Sequence, residues 1–311
     1  MHSCLNSILP LRILFINNMR DNTIFRVAVT GSNGQLGTEF FRIAGNHPRF
    51  HFTFLSRESF PLDQSDKMIA WLKGNPVDIF IHCAAYTAVD KAESEREKAF
   101  LLNGSASGLI ASVLSDTATK LIYISTDYVF DGKSATPLTE EAETNPINIY
   151  GASKLEGERL VLLNNPLTQV VRTSWVYSSH GNNFVKTMIR LMRERNTINV
   201  VDDQTGSPTY AGDLAAAIMQ MLETNHFIPG IYHYSNEGET NWFSFAEEIK
   251  KRTGSDCLVL PIASSGFPTP AKRPAYSLLD KTKIKKDYGL YIPEWRSSLA
   301  VCIDLIKKKE V

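Results

Sequence analysis

Residues 25–37 read FRVAVTGSNGQLG, a run of strand-forming residues followed by glycines at every third position. The run Phe25–Thr30 predicts a buried strand, and Gly34–Ala44 predicts a helix directly after the turn. Glycines lack Cβ atoms, so backbone N–H groups can approach an anion, and the helix dipole favours negative charge there. The turn therefore predicts a pyrophosphate site at Gly31, Asn33, Gly34, Gln35, Leu36 and Gly37. Its G-x-x-G-x-x-G spacing differs from the usual G-x-G-x-x-G fingerprint, and a structural turn without a ligand is the alternative.

Strand-like and helix-like segments alternate beyond this turn. Further strands are predicted at His51–Ser56, Asp78–His82, Lys120–Ser125 and Gln169–Ser174. Further helices are predicted at Ser65–Lys73, Lys91–Ser115 and Gly151–Leu163, with a left-handed cap at Gly45 after the first helix. Continuous apolar strands separated by helices indicate an α/β fold, a doubly wound parallel sheet of the Rossmann type.

The pattern loosens after about Tyr177, where loops and prolines become frequent. It predicts a smaller C-terminal substrate-binding domain with helices at Tyr210–Glu223 and Trp242–Arg252. The expected division is a disordered tail over 1–24, a dinucleotide-binding domain over 25–178 with a return around 205–230, and a substrate domain over 179–311. The apolar run Leu9–Ile16 is too short to cross a membrane, and Met19 is an alternative start.

The composition is that of a globular protein with no dominant charge. Lys and Arg number 33 and Asp and Glu number 33, so no overall field favours nucleic acid or a membrane surface. The four cysteines are scattered, without a C-x-x-C pair or a His cluster at metal-ligand spacing. This pattern argues against a disulfide framework and a structural metal site, and it favours a reducing compartment, the cytoplasm.

The end of the second predicted strand bears on the choice of dinucleotide. An acid about 20 residues beyond the glycines binds a free ribose in NAD proteins. Here the strand ends in Ser56 and Arg57, and a hydroxyl next to a guanidinium suits a 2′-phosphate, which favours NADP. The alternative for Arg57 is a solvated surface residue. Asp63 is placed either to meet the adenine or to cap the Ser65–Lys73 helix.

A second constellation suits proton transfer. Tyr150 and Lys154 lie four residues apart at the start of a predicted helix, so they share a face. A nearby ammonium lowers the pKa of a phenol, and Lys154 can also hold the nicotinamide ribose. Thr126 follows the strand Lys120–Ser125, at the sheet edge where α/β proteins bind ligands, and can hydrogen-bond the reacting carbonyl. Tyr-x-x-x-Lys alone is a common spacing, but the preceding strand and hydroxyl strengthen it.

Longer segments carry a family resemblance. They are residues 84–93 (AAYTAVDKAE), 125–132 (STDYVFDG), 172–177 (RTSWVY), 183–188 (NFVKTM) and 203–209 (DQTGSPT). In this order they resemble the extended short-chain dehydrogenase/reductase family, and within it the reductases of 4-keto sugar nucleotides. The resemblance extends from about Arg26 to near Lys283.

The resemblance implies a role for each matching residue. Tyr150 is the expected acid, Lys154 its electrostatic partner and a cofactor ligand, and Thr126 the third catalytic group. Ala84 and Ala85 are implied as cofactor contacts. The implied sugar pocket consists of Thr87, Val89, Asp127, Tyr128 and Trp175, with core packing as the alternative for Trp175. Asn183, Lys186 and Arg273 are implied to face the nucleotide diphosphate.

The implied activity is reduction of a dTDP-linked 4-keto sugar with NADPH, with NADH as a second candidate cofactor, by a monomer or homodimer. One alternative is a sugar-nucleotide epimerase or dehydratase that retains NAD, and another is a non-catalytic nucleotide-binding regulatory subunit. Some relatives bind Mg²⁺ through a Glu at the position of Glu39. A lone carboxylate does not make an octahedral site, so we predict no metal and interpret Glu39 as a first-turn helix acid or surface residue.

Overall fold

The computed structural model describes residues 23–224 and 226–309. The tail expected over 1–24 lies outside this part of the chain except for Thr23 and Ile24. The apolar run Leu9–Ile16 and the alternative start at Met19 lie outside it entirely.

A six-stranded parallel sheet forms the centre of the fold, in the order β10-β5-β4-β3-β1-β2. Its strands are β1 Phe25–Thr30, β2 Phe50–Leu55, β3 Ile79–His82, β4 Lys120–Thr126, β5 Thr168–Thr173 and β10 Gly230–Tyr234. The chain order reverses between β1 and β3, which makes the crevice beyond their carboxyl ends the expected ligand site. The predicted doubly wound fold is confirmed.

Helices cover both faces of this sheet because its strands are apolar on both sides. Val27 and Val29 belong to one buried cluster, and the intervening Ala28 to another, as the two-residue repeat of a strand requires. The first cluster includes residues of α1 Gln35–Ile43, α8 Ala211–Glu223 and α10 Thr282–Tyr288. The second includes residues of α2 Ser65–Gly74, α5 Ala106–Ser115 and α6 Ile149–Asn164.

The C-terminal half has a hydrophobic cluster of its own, centred on residues such as Phe245 and Trp295. Its helices are α7 Phe184–Glu194, α9 Trp242–Thr253 and α11 Trp295–Lys309. Short strand pairs join it: β6 Val176–Tyr177 with β9 Thr209–Tyr210, β7 Thr197–Val201 with β12 Leu258–Ile262, and β8 Thr205–Gly206 with β11 Thr240–Asn241.

Two local predictions are wrong. The helix expected over Lys91–Ser115 is divided into α3 Val89–Ala92, α4 Arg96–Phe100, a π-helical turn at Leu101–Ser105, and α5. The π turn places Asn103 inward, where its amide binds the backbone of Tyr86 at both N and O. Gly45 has no left-handed conformation, because α1 continues into a 3₁₀ turn over Ala44–Asn46.

Among the residues that the structure describes, no helix combines the length and apolar character needed to cross a bilayer.

Candidate active site

The side chain of Asn148, the N-cap residue of α6, makes two hydrogen bonds that fix the start of this helix. Asn148 accepts a hydrogen bond from the N–H of Gly151 at 2.7 Å and donates one to the carbonyl of Lys272 at 2.8 Å. A Cβ on Gly151 would overlap the carbonyl oxygen of Tyr128, so glycine lets the helix approach the turn after β4 closely. Tyr150, the second residue of α6, is thereby fixed beside the end of β4.

The end of β4 supplies the hydroxyl. Thr126 accepts a hydrogen bond from the N–H of Tyr128 at 3.2 Å and donates one to Asp127 Oδ1 at 3.1 Å. The rings of Tyr128 and Tyr150 meet edge to face, with centroids 5.8 Å apart. The Thr126 hydroxyl also acts on the Tyr150 phenol, where it opposes a rise in the pKa. The structure therefore brings Thr126, Tyr128 and Tyr150 together.

Lys154 is buried one turn along α6. Its ammonium donates to the carbonyl of Ile124 at 2.7 Å and lies 3.9 Å from the ring centroid of Tyr123. Burial lowers the pKa of Lys154 to about 7, while the carboxylate of Glu158 acts in the opposite direction.

The expected lowering of the Tyr150 pKa is not seen. Burial by the surrounding protein raises the pKa of Tyr150 to about 12, although part of the side chain stays exposed, and Asp127 adds to the rise. The ammonium of Lys154 is engaged with Ile124 and Tyr123, which accounts for its lack of effect on the phenol. Tyr150 is therefore protonated at neutral pH and can act as an acid.

Sequence reasoning missed the ion pair behind Lys154. Arg172 on β5 binds Glu158 on α6 through two nitrogens, the shorter contact being 2.7 Å, and both side chains are buried. Ser125 donates to the same carboxylate at 2.5 Å. The signal was available in the sequence, because Glu158 lies one helical turn after Lys154 and so shares its face.

Asp127 is a buried carboxylate with spare hydrogen-bonding capacity. It is 2% exposed, and its Oδ2 has no hydrogen-bond partner. Burial raises the pKa of Asp127 to about 6, opposed by the hydroxyls of Ser277 and Thr126. Near neutral pH the group is mainly ionised and can accept a hydrogen bond from a ligand hydroxyl.

The glycine turn has the close packing expected of an anion site. Gly31 has φ of 68°, and a Cβ there would lie 2.9 Å from the backbone nitrogen of Ala84, just beyond β3. A Cβ on Gly37 would overlap the carbonyl oxygen of Gly31. Gly34 caps α1 without a side-chain hydrogen bond, which leaves the N–H groups of the first turn for another acceptor.

The other predicted residues of the turn differ in exposure. Asn33 is exposed, whereas Leu36 is buried in the core, so only the backbone of Leu36 is available to a cofactor. Gln35 donates to the carbonyl of Val176 at 3.3 Å and accepts from Asn183 at 2.9 Å. Ala84 follows β3 and donates its N–H to Thr30 Oγ1 at 3.1 Å, and Ala85 is half-buried beside it.

The residues expected at the ribose are paired with carboxylates. Ser56 donates to Glu58 at 2.5 Å. Arg57 is 77% exposed and lies 3.7 Å from Asp63. Asp63 does not cap α2, whose cap residue is Gln64. Glu58, the first acid after β2, therefore lies at the strand end together with Ser56 and Arg57.

The implied diphosphate ligands are placed differently from one another. Arg273 forms a two-point ion pair with Asp90 of α3, the shorter contact being 2.9 Å. Asn183 caps α7, and its amide nitrogen donates hydrogen bonds to Gln35 and to two backbone carbonyls. Lys186 lines a groove between α7 and α11, together with Arg190 and others.

The implied sugar-pocket residues lie at the ends of β3, β4 and β5. Thr87 is exposed, and its carbonyl accepts from the N–H of Val89, which begins α3. Trp175 is the second residue after β5 and stacks on Trp242. The alternative for Trp175, packing into the core, is not what the structure shows, because Trp175 is only half-buried.

The interpretation of Glu39 is wrong on both counts. Glu39 lies beyond the first turn of α1 and is fully buried. It pairs with Arg42 at 2.8 Å and accepts a hydrogen bond from Ser178 at 2.7 Å, because this face of α1 packs against the loop after β6. Within the described ranges, no group of three or more His, Cys, Asp or Glu side chains is arranged to hold a metal ion.

The fold and the Thr–Tyr–Lys arrangement define the class of the protein, an oxidoreductase of the extended short-chain dehydrogenase/reductase type. The family model described as "RmlD substrate binding domain" matches residues 25–308. dTDP-4-dehydrorhamnose reductase of Sinorhizobium fredii is 40% identical over 282 residues, which cover 88% of this chain and 95% of that protein. The chain therefore belongs to the dTDP-4-dehydrorhamnose reductase family.

Two further relatives agree with this assignment. The spore coat polysaccharide biosynthesis protein SpsK of Bacillus subtilis is 37% identical over 275 residues, covering 88% of this chain and 95% of SpsK. The crystal structure of dTDP-4-dehydrorhamnose reductase from Bacillus anthracis in complex with NADP has a TM-score of 0.87 and 38% identity. That comparison covers 91% of this chain and 99% of the other.

Proposed function

We propose that the protein reduces the 4-keto group of dTDP-4-dehydro-L-rhamnose with NADPH and forms dTDP-L-rhamnose. The observation that carries the proposal is the placement of Tyr150 beside Thr126 at the carboxyl edge of the sheet, with Lys154 buried one turn further along α6, in a chain of this family. The bound NADP of the Bacillus anthracis relative supports the choice of cofactor.

The residues present fit a dinucleotide. The close packing of Gly31 and Gly37 leaves no room for Cβ atoms, and the first turn of α1 offers backbone N–H groups to a pyrophosphate. Arg57 and Ser56 stand where the adenosine ribose is expected, so a 2′-phosphate would find a guanidinium and a hydroxyl. When bound, NADPH supplies the hydride that adds to the carbonyl carbon.

The protein's own part in the reaction is proton transfer and charge stabilisation. Tyr150 donates its phenolic proton to the ketone oxygen as negative charge develops there. The hydroxyl of Thr126 turns from Asp127 Oδ1 and donates its hydrogen bond to the same oxygen. For this step the ammonium of Lys154, which donates to the carbonyl of Ile124 in this structure, turns toward Tyr150 and stabilises the phenolate left behind, and solvent then returns the proton. The product is the 4-hydroxyl of the sugar.

Substrate binding is assigned to the residues around this trio. Asp127 Oδ2, buried and without a partner, is suited to accept a sugar hydroxyl. Arg273 can offer its guanidinium to the diphosphate by exchanging one partner, Asp90, for another. Asn183 acts indirectly, by joining α7 to Gln35 of the glycine turn.

A direct assay tests the proposal. Purified protein is mixed with NADPH and dTDP-4-dehydro-L-rhamnose, and the loss of reduced nicotinamide is followed. We expect turnover with this substrate and none with dTDP-glucose, which lacks the ketone. Repeating the assay with NADH measures the second candidate cofactor. Protein that binds NADPH but leaves it reduced would contradict the proposal, and NAD retained in stoichiometric amount through purification would favour an epimerase or dehydratase.

We also propose a cytoplasmic enzyme that is a monomer or a homodimer. The free thiols of Cys83, Cys257 and Cys302 support a reducing compartment. Sedimentation equilibrium distinguishes the two oligomeric states, and fractionation of cells tests the location.

A further inference from the structure

Trp175 has an unusual backbone conformation for a large side chain. Its φ is 48°, and within residues 23–224 and 226–309 it is the sole non-glycine residue with positive φ. A bulky residue stays in this region only where its surroundings hold it, and such residues concentrate at functional sites.

A second tryptophan, Trp242, is one of the neighbours that hold Trp175 in this conformation. The rings of Trp175 and Trp242 are stacked, with centroids 3.7 Å apart and planes 12° from parallel. Trp242 is itself fixed, because its indole N–H donates to Gln204 at 3.2 Å and its ring meets that of Phe184 at 4.6 Å. The indole of Trp175 thus rests on a ring that cannot turn freely.

Gly206 is the second contact that restrains the indole of Trp175. A Cβ on Gly206 would lie 2.9 Å from Cζ2 and 3.0 Å from Cε2 of Trp175. Gly206 does not have positive φ, so the reason for glycine at this position is the space that the indole fills. The backbone of β8 and the ring of Trp242 together restrict Trp175 to one position.

The stack joins the main sheet to the C-terminal half beside the candidate active site. Trp175 comes two residues after Thr173 of β5, and Thr173 is the register partner of Thr126. Trp242, by contrast, is the first residue of α9. A displacement of α9 would therefore be transmitted through the two rings to a residue at the carboxyl edge of the sheet.

We propose that Trp242 is a positioning residue, which holds the indole of Trp175 in place and so sets the affinity for the sugar part of the substrate. The inference rests on the proposed function and on the place in the sugar pocket that the family resemblance implies for Trp175. Trp242 does not itself need to touch the substrate. Its contribution is to remove the freedom that Trp175 would otherwise lose on binding.

The test compares two ligands that differ by the sugar. The dissociation constants of dTDP-L-rhamnose and dTDP are measured calorimetrically for the wild type, Trp242→Ala and Trp242→Phe. We expect Trp242→Ala to weaken dTDP-L-rhamnose roughly tenfold, from the loss of one aromatic pair, and to leave dTDP unchanged. KM for the substrate rises with it, while kcat changes less. Trp242→Phe keeps a ring for stacking and restores most of the affinity.

A matched control is Trp71→Phe, which alters a ring packed on Phe60 at 5.5 Å in the other half and is expected to change neither constant. Gly206→Ala gives an independent variant, because it displaces Trp175 while leaving Trp242 intact. Near-ultraviolet circular dichroism reports the coupled indoles, and the Kd for NADPH reports folding.

Two outcomes would overturn the inference. One is unchanged dTDP-L-rhamnose binding in Gly206→Ala and in a Trp242 variant that has lost the coupled-indole signal. The other is equal weakening of dTDP and dTDP-L-rhamnose. Both leave the reductase activity of the wild type untouched, so failure here is distinct from failure of the proposed function.

Discussion

Glu158 and Arg172 form a buried ion pair directly behind Lys154, with the two side chains 2% and 3% exposed. The pair connects α6 to β5, and the hydroxyl of Ser125 ties it to β4. The carboxylate of Glu158 also raises the pKa of Lys154 against the effect of burial. The same contact therefore holds three elements together and favours the charged form of Lys154.

Glu158→Gln should shift the pH dependence of turnover. Burial lowers the pKa of Lys154 to about 7, and the proposed mechanism requires its protonated form to stabilise the phenolate. Removing the carboxylate charge lowers that pKa further, so activity should be lost at lower pH than in the wild type. Arg172 remains buried without its counter-ion, and we expect a loss of about 3–5 kcal/mol in stability. A pH profile of kcat and a denaturant titration measure the two effects.

Glu156→Gln is the control, since Glu156 lies on the same helix but pairs with the exposed Arg159 at 3.0 Å. Its pH profile should match the wild type. An unchanged alkaline limb in folded Glu158→Gln would show that Glu158 does not govern the charge of Lys154.

Tyr150→Phe should retain cofactor binding and lose turnover. Phenylalanine keeps the ring that packs on Tyr128 but has no proton to donate. General acid catalysis of this kind contributes about 10²–10⁴-fold, which is the expected fall in kcat. Tyr291→Phe, at a site 86% exposed, should behave as the wild type. Near-normal kcat in Tyr150→Phe would remove Tyr150 from the mechanism.

Asp127→Asn should gain stability and lose substrate affinity. Burial raises the pKa of Asp127 from 3.8 to about 6, so the folded protein binds this proton more tightly than the unfolded chain. The contribution of protonated Asp127 to the free energy of unfolding is therefore fully present below about pH 4 and is lost as the pH rises through about 6. At neutral pH the variant should be more stable by about 2–3 kcal/mol, and the difference should vanish in acid.

Thermal unfolding across this pH range measures the effect of Asp127→Asn, and KM for the sugar nucleotide measures the loss of the acceptor. Glu143→Gln, at an exposed site, is the control and should show neither change. A variant without any stability difference at neutral pH would contradict the raised pKa.

Arg273→Ala and Asp90→Asn separate two roles of one ion pair. Asp90 is 41% exposed and Arg273 is 25% exposed, so the contact can open at modest cost. If Arg273 binds the diphosphate, Arg273→Ala should raise KM about tenfold or more, whereas Asp90→Asn frees the guanidinium and should leave KM equal or lower. Equal increases of KM in both variants would mean that the Arg273–Asp90 pair only stabilises the segment around Arg273. The Kd for NADPH should stay constant in both.

Glu58→Gln and Arg57→Ala should move cofactor preference in opposite directions. The hydrogen bond from Ser56 lowers the pKa of Glu58, and the charge of this carboxylate opposes that of a 2′-phosphate. Glu58→Gln should therefore lower the Kd for NADPH severalfold, and Arg57→Ala should raise it, with smaller effects on NADH. Fluorescence titration with each reduced cofactor gives the ratios, and a change shared equally by both cofactors would count against this account.

The sequence was sufficient for most of the main sheet and its flanking helices. The first five strands lie within one residue of their predicted limits, because each is a short apolar run between helical segments. The helix over Lys91–Ser115 was wrong because the helical conformation is interrupted between Ala92 and Arg96, and because helical periodicity does not reveal the π turn at Leu101–Ser105. Asn103 within that stretch, next to Gly104, was the available sign of an interruption.

Side-chain partners across the fold could not be predicted in the same way. Nothing local to Arg273 indicates Asp90, which is 183 residues away in sequence, and nothing local to Trp175 indicates Trp242. The prediction that Glu39 is a surface residue was wrong for a related reason, because its burial depends on Ser178 and the loop after β6. Contacts of this kind arise from tertiary packing, which a repeat of polar and apolar residues does not encode.

The position of β10 in the main sheet has a consequence for biosynthesis. β4, α6 and β5 follow one another in the chain and include Thr126, Tyr150 and Lys154, so they can assemble soon after they leave the ribosome. The outer edge of β5, however, stays open until residues 230–234 have been made and have paired with it. An open edge of this kind pairs readily with other strands. Nascent chains stalled before β10 are therefore expected to bind chaperones, and to aggregate when chaperones are depleted.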